Sequence, residues 1–412
     1  MSFVRNSADH TPIVDTVFAI VSKAQEDKKK NGEDAVVDAT IGSLYDENGE
    51  LVALDEVFNH YDTIDHRTKA AYAASFRGNP DYREGVWNWV TQGADLKDLN
   101  HSVIATPGGS GADSMAITAF LDQGETVILP DIAWGSYTLM AHENNTNYVR
   151  YTMFDGDHLN LQSIKDTVNE VLKKQNRIVL VVNDPCHNPT GYSMTHEEWK
   201  ELIAFANEVS KKVPFIIIDD IAYIDYSNNL AESRKYMETW NDISDQVMIL
   251  VAFSCSKTLT SYGLRCGAAV IIARNQEDVR DTEIVMEKKA RATWSNIPNA
   301  AMVNFVWIVN HDRERFMAEK QKFIDLIHER ASLFIKEADA CGLEFYPYKE
   351  GFFVTLKVDD NERRSRYHDA LMKEHIYTVE VNHGIRVAVC SLPLKKVKGL
   401  AEKMKKIQEQ TA

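Results

Sequence analysis

Ser254-Cys255-Ser256-Lys257, followed after four residues by Tyr262-Gly263-Leu264-Arg265-Cys266-Gly267, is the stretch from which the rest of the chain can be read. A lysine framed by hydroxyls and trailed by an arginine suggests an amine that is both reactive and held beside an anion. On either side lie Val247 to Phe253 and Ala268 to Ile272, apolar at almost every position rather than at every second one. That pattern belongs to strands covered on both faces, hence to a mostly parallel α/β sheet. Further runs repeat it at Val103-Ile104-Ala105, Val127-Ile128-Leu129, Ile178 to Val182 and Phe215 to Ile218, several ending in a polar or glycine-bearing turn. In open α/β sheets ligands bind at that edge.

The chain has 412 residues, more than a single core usually serves, so a large domain with a smaller companion is expected. Hydrophobic residues at 44% and charged residues at 26% are those of an ordinary globular protein. A net charge of −15 argues against a broad nucleic-acid or anionic-membrane surface, while leaving room for small anions at local arginines. The N-terminal residues carry no apolar signal region and no stretch has the length of a membrane span, so a cytoplasmic location is expected. Cys186, Cys255, Cys266, Cys341 and Cys390 are far apart, which signals neither a disulfide framework nor a metal site. Beyond residue 300 the pattern changes to long charged helices such as 312–336, strand-like pieces at 352–358 and 385–389, and a terminal helix over 394–410.

Three further strand ends carry chemistry. Ile217-Ile218-Asp219-Asp220-Ile221-Ala222-Tyr223 puts a carboxylate at a strand end, with a tyrosine three residues on. A carboxylate beside a pyridine nitrogen keeps it protonated, and a tyrosine can hydrogen-bond a phenolic oxygen on the same ring. Taken alone, such an aspartate pair reads more readily as a helix N-cap. His187-Asn188-Pro189-Thr190-Gly191 forms a turn, and its Asn188 amide can reach the same phenolic oxygen. Thr106-Pro107-Gly108-Gly109-Ser110-Gly111-Ala112 lies between a strand and a helix, where glycine amides and Ser110 can surround a phosphate. It lacks the third glycine of a dinucleotide loop, a Walker lysine and a nucleophile elbow. Together these parts describe a site for pyridoxal 5'-phosphate, with Lys257 as its Schiff-base lysine.

With these motifs the chain resembles the class I aminotransferases of pyridoxal-phosphate fold type I, in the aspartate and aromatic amino acid branch. The likeness runs from Thr40-Ile41-Gly42 to Arg386. It implies an α/β fold: a mostly parallel seven-stranded sheet covered by helices, plus a smaller α+β domain. The implied division is an N-terminal arm over 1–15, a small domain from 16–50 and 325–412, and a large cofactor-binding domain over 51–324. The resemblance makes Lys257 the proton shuttle, pairs Asp220 with the pyridinium and sets Tyr223 and Asn188 on the phenolic oxygen. Gly109, Ser110, Gly111, Ser254 and Arg265 would bind phosphate, Trp134 would stack on the ring, and Tyr72 would arrive from a second subunit of a homodimer. Gly42, Trp134 and Asn188 would also touch substrate.

Two arginines carry the substrate expectation. Arg386 stands where the family clamps the substrate's alpha-carboxylate, a bidentate task that lysine performs poorly. Arg291, in Arg291-Ala292-Thr293-Trp294-Ser295-Asn296-Ile297-Pro298, matches the arginine that reaches across a dimer to a dicarboxylate's distal group. The chain departs from the pattern at Tyr137, where many members carry histidine, at Gly108 in place of a phosphate-loop serine, and at Thr258-Leu259-Thr260 after the lysine. The expected function is an amino acid:2-oxo acid aminotransferase for aromatic or dicarboxylic donors, with 2-oxoglutarate as acceptor and Trp294, Tyr45 and Phe353 as apolar surface. Its rivals are a pyridoxal-phosphate-dependent C–S beta-lyase or decarboxylase, and a non-catalytic ligand-binding regulator on the same fold.

Overall fold

The computed structural model describes residues 3–4, 9–12, 16–358 and 360–411, so the expected arm over 1–15 falls largely outside the described residues. Seven strands form its main sheet: β1 (Asn100–Thr106), β2 (Thr126–Pro130), β3 (Asn147–Tyr151), β4 (Ile178–Val182), β5 (Phe215–Asp220), β6 (Val247–Ser254) and β7 (Gly267–Ala273). They lie in the order β1-β7-β6-β5-β4-β2-β3. Strand β7 runs antiparallel to both neighbours, and the pairs β2–β3, β2–β4, β4–β5 and β5–β6 are parallel. Burial on both faces explains the unbroken apolar runs. Leu180, Ile217, Val251 and Val270 enter one core, while Val179, Ile218, Leu250 and Ile271 enter another on the opposite side.

The six apolar runs of the sequence are six of these strands. The seventh, β3, is Asn-Tyr-Val-Arg-Tyr at the sheet edge, with Asn147 and Arg150 exposed, so it never had to be apolar throughout. The long helix Arg313–Cys341 carries Phe316, Ile324 and Ile327 in the main core. Its second half places Ala331, Phe334 and Ala338 in a separate core with Val354, Leu356, Ile385 and Val387. There a three-stranded antiparallel sheet joins β8 (Phe353–Lys357), β9 (Val379–Val381) and β10 (Gly384–Ala388) in the order β8-β10-β9. The expected terminal helix over 394–410 is two helices, Leu394–Val397 and Leu400–Gln410, parted by Gly399 in the left-handed region at φ 77°. The Glu337 carboxylate accepts the Gly399 amide at 2.9 Å, which fixes the break.

Strand β7 starts at the edge where its two antiparallel neighbours end, and it does so in tight backbone packing. A Cβ on Gly267 would lie 2.6 Å from both the Gly108 carbonyl carbon and the Phe253 oxygen. Neither backbone atom can rotate away. Gly267→Ala is expected to lower the unfolding free energy by about 1–3 kcal/mol. Urea unfolding checks this, with Gly263→Ala, where nothing lies within 4 Å, as the control that stays near wild type.

Candidate active site

The site grows out of that edge. After β6 ends at Ser254, the one-turn helix Cys255–Thr258 holds Lys257, and the 3-10 turn Tyr262–Leu264 leads back to β7. Arg265 completes the reversal in the left-handed region at φ 51°. Its guanidinium donates to the Tyr262 carbonyl at 2.8 Å, to the Ser256 hydroxyl at 3.2 Å and to the Pro107 carbonyl at 3.2 Å. Gly108, at φ 75°, is in a conformation that strains any side chain, and a Cβ there would lie 2.6 Å from that guanidinium, which would have to move. The helix Gly108–Phe120 starts at this point with no side-chain cap on its free amides. Amide groups of Gly109 and Ser110, the helix dipole, Arg265, Ser254 and Ser256 are thus the groups here that could hold a phosphate. Gly111 serves it indirectly: a Cβ there would meet Pro107 Cδ at 2.5 Å, and the residue does not line the cavity.

A cavity of about 1200 Å³ opens over the cradle and is lined by Lys257, Asp220, Tyr223, Asn188, Trp134 and Arg386 among others. The Lys257 amine lies 5.6 Å from the Tyr223 ring centre and 5.2 Å from that of Tyr262. Burial lowers its pKa from 10.5 to about 8; Asp220 opposes the shift and Arg265 adds to it. The lysine is thus a partly free amine near neutrality. Beneath it, the buried Lys320 donates to the Thr258 carbonyl at 2.8 Å and sits 3.9 Å from the Tyr226 ring centre. Burial draws Lys320 down to about 7 against the pull of Asp225. Asp225 in turn accepts from Trp89 at 2.9 Å, from Thr258 at 2.6 Å and from Arg234.

Asp220, at the end of β5, is 5% exposed and accepts from the Tyr137 hydroxyl at 2.5 Å and the Ala222 amide at 3.0 Å. Burial pushes its pKa up, and those two donors and Lys257 pull it back. The Asn183 side chain donates to the Asp220 carbonyl at 2.6 Å and accepts the Asn188 amide at 2.7 Å, tying the 183–191 loop to β5. Asn188 then points its amide to the Tyr223 hydroxyl at 3.5 Å and accepts from Arg386 at 3.1 Å. Arg386, on β10, also donates to the Thr40 carbonyl at 2.7 Å and lies 4.5 Å from the Phe353 ring centre. Its Nε is buried without a partner. Gly42 lines the same cavity, where a Cβ would meet Phe353 at 2.8 Å.

Two expected residues stand elsewhere. Tyr72 is 86% exposed and Arg291 is exposed, bonded to Ser295 and 4.7 Å from the Phe76 ring centre; neither lines this chain's cavity. Sequence reading missed Asn183, Tyr262, Lys320 and Asp113 as site residues. Tyr262 and Asn183 stood inside or beside quoted motifs, but nothing local marked Lys320 or Asp113. The residues present fit pyridoxal phosphate: an anion cradle at one end, a buried carboxylate at the other, and an amine between them.

The family model described as aminotransferase class I and II matches residues 40–404. An aromatic-amino-acid aminotransferase of Pseudomonas aeruginosa is 26% identical over 196 residues, which are 47% of each chain. The aspartate aminotransferase of Escherichia coli is 24% identical over 255 residues, 58% of this chain and 62% of that one. The chain thus spans about half the length of the first of these relatives and 62% of the second. The crystal structure of an aminotransferase from Anaerococcus prevotii superposes with a TM-score of 0.95 at 31% identity, covering 98% of this chain and 99% of that one.

The depressed Lys257 pKa fixes a sign. In the cofactor-free protein the folded state holds this proton less tightly than the unfolded state, so burial of the ammonium costs stability below about 8, a cost relieved as pH rises towards 10.5. Lys257→Met should therefore raise the midpoint of thermal unfolding of the cofactor-free protein at pH 7, with a lead that shrinks above about pH 8. A lead constant with pH would contradict the assignment. The match over residues 40–404, on a chain that brings a buried lysine of lowered pKa and a buried carboxylate to one sheet edge, places it in the class I and II aminotransferase family.

Proposed function

We propose that this protein is an amino acid:2-oxo acid aminotransferase that takes aromatic and dicarboxylic amino acids as donors and 2-oxoglutarate as acceptor, in two half-reactions of a ping-pong cycle. The observation that carries the reading is Arg386, buried in the Lys257 cavity with its fork held by Asn188 and Thr40 and its Nε free of any partner. A guanidinium so oriented suits an alpha-carboxylate, and that grip would present the substrate's alpha carbon to Lys257.

Pyridoxal phosphate, when bound, supplies an electron-withdrawing ring that spreads negative charge away from the substrate's alpha carbon. The protein's part is to orient and to move protons. Asp220 would keep the ring nitrogen protonated, and Tyr137 and Ala222 hold that carboxylate in place. Tyr223 and Asn188, themselves in contact, would hold the phenolic oxygen, and Trp134, which lines the cavity, would stack on the ring. Lys257, once free, removes the alpha proton and returns it elsewhere, a task for an amine with pKa near the working pH.

The substrate side rests on Arg291 and on a homodimer. Exposed Phe76 beside Arg291, and exposed Tyr72 four residues before Phe76, suit a surface for a second copy of the chain, from which Arg291 would reach the neighbouring cavity. Phe353 would offer apolar surface, whereas Tyr45 does not line the cavity and Trp294 packs against core residues of its own chain.

The reading is tested by offering each of the twenty amino acids with 2-oxoglutarate and measuring glutamate, or aspartate with pyruvate and measuring alanine. Ammonia or pyruvate released with no oxo acid present would favour a lyase and sink it. Lys257→Ala should lose at least about a thousandfold in kcat, the upper part of the range for a proton-transfer group that also carries the cofactor. Arg386→Lys should raise KM for every donor by about tenfold or more, as a bidentate grip becomes a point charge. Arg291→Leu should cut kcat/KM for aspartate and glutamate by about 10–100-fold, the worth of a charge-assisted hydrogen bond, and spare phenylalanine. Equal losses across donors would count against Arg291 as the distal-carboxylate residue.

A further inference from the structure

The ring-nitrogen pole of the cavity holds a second carboxyl. Asp113 lies on the helix Gly108–Phe120 four residues after Gly109, hence on the face that meets Ser254 and the cavity. It is 2% exposed, lines the same cavity as Asp220, and neither of its oxygens has a hydrogen-bond partner. An unpartnered buried carboxylate is costly, and two carboxylates sharing a dry site do not both ionise. Asp220 has the two donors and the nearby ammonium of Lys257, whereas Asp113 has neither donor nor base. The shared site's proton therefore belongs on Asp113. A phosphate on the first turn of the same helix would add negative charge nearby and keep it there.

We propose that Asp113 is a positioning residue of the ring-nitrogen pole: a neutral carboxylic acid that leaves Asp220 as the only negative charge there and offers an O–H donor to the pole. The groups that interact with it are Asp220 on β5 and Tyr137 on the helix Ser136–Glu143, while Lys257 after β6 acts on Asp220. Gln276–Thr293 packs on the same helix without a charge that acts on Asp113. A tyrosine that burial and two acids keep protonated adds no charge of its own to the pole. The inference rests on pyridoxal phosphate being the ligand and is independent of the amino donor.

Asp113→Asn keeps shape and a donor without the titration; Asp113→Leu keeps volume without a donor. Burial and Asp220 raise the Asp113 pKa well above 3.8, so the folded state binds the proton more tightly. Its contribution is full below about pH 4 and is lost as pH rises towards the folded pKa. Thermal unfolding of the cofactor-free protein from pH 4 to 8 should show wild type losing stability relative to Asp113→Asn as pH rises. Pyridoxal phosphate affinity, read by quenching of tryptophan fluorescence, should stay within about twofold in Asp113→Asn and weaken about tenfold in Asp113→Leu, one hydrogen bond's worth. Parallel pH profiles for wild type and Asp113→Asn would overturn the neutral-acid assignment, and the Asn profile alone suffices if the Leu variant does not fold. Equal weakening in both variants would make the charge matter rather than the donor, and unchanged affinity in Asp113→Leu would remove Asp113 from the pole; either result overturns the proposal. No amino acid substrate enters these measurements, so they stand or fall apart from the donor assignment.

Discussion

The structure turns on keeping a few charges dry at one edge of a sheet. Lys257 and Asp220 sit at the ends of adjacent parallel strands, in a cavity whose desolvation lowers the amine's pKa and raises the acid's. Water there would restore both groups to their ordinary values and remove the free amine that chemistry near neutral pH needs. The charges are tolerable because each has partners fixed by backbone geometry. Tyr137 and Ala222 serve Asp220, while Lys320 and Tyr226 bind the carbonyls of the short helix that carries Lys257. The reactive lysine thus stands on a second buried lysine, itself held by the attraction of Asp225.

A parallel sheet brings its strand ends together, but an arginine after β6 has to return to the same edge to meet the phosphate loop. The antiparallel β7 does this. It begins where β6 ends, with Arg265 left-handed at the turn and Gly267 packed on the Gly108 backbone. From the other core, β10 sends Arg386 to Asn188, and Asn188 passes the contact to Tyr223. Glu350 fastens the two cores at another point, accepting from Ser193 at 2.6 Å, Ser227 at 2.7 Å and the Asn228 amide at 2.8 Å. A shift of one core against the other would strain the Arg386–Asn188 hydrogen bond, which couples the grip on a carboxylate to the contact of Asn188 with Tyr223.

Features set by local chemistry were legible in the chain. Double-sided burial made β1, β2, β4, β5, β6 and β7 readable as apolar runs, and their polar ends announced the site. An edge position hid β3, because half its side chains face water. One αL glycine broke the terminal helix where periodicity alone suggested continuity. Lys320 and Asp113 were hidden for a different reason. Both lie on helices with ordinary neighbours, and only the fold brings Lys320 beneath Lys257 and Asp113 beside Asp220. Tyr72 and Arg291 show the reverse: their sequence context is specific, yet within one chain they face outward.

Tyr137 gives the substitutions around the ring-nitrogen pole a common sense. A histidine bonded to Asp220 could take up a proton and turn cationic near neutral pH. A tyrosine can only donate its hydroxyl, and here burial and the neighbouring acids hold that proton firmly. The charge of the pole is then set by carboxyls alone, so a second acid can be accommodated only in its neutral form. Tyr137 and Asp113 therefore belong together: the first removes a titrating base from Asp220, and the second adds a titrating acid whose proton keeps the net charge at that of one carboxylate. The pole keeps one negative charge for one pyridinium, arrived at by different side chains.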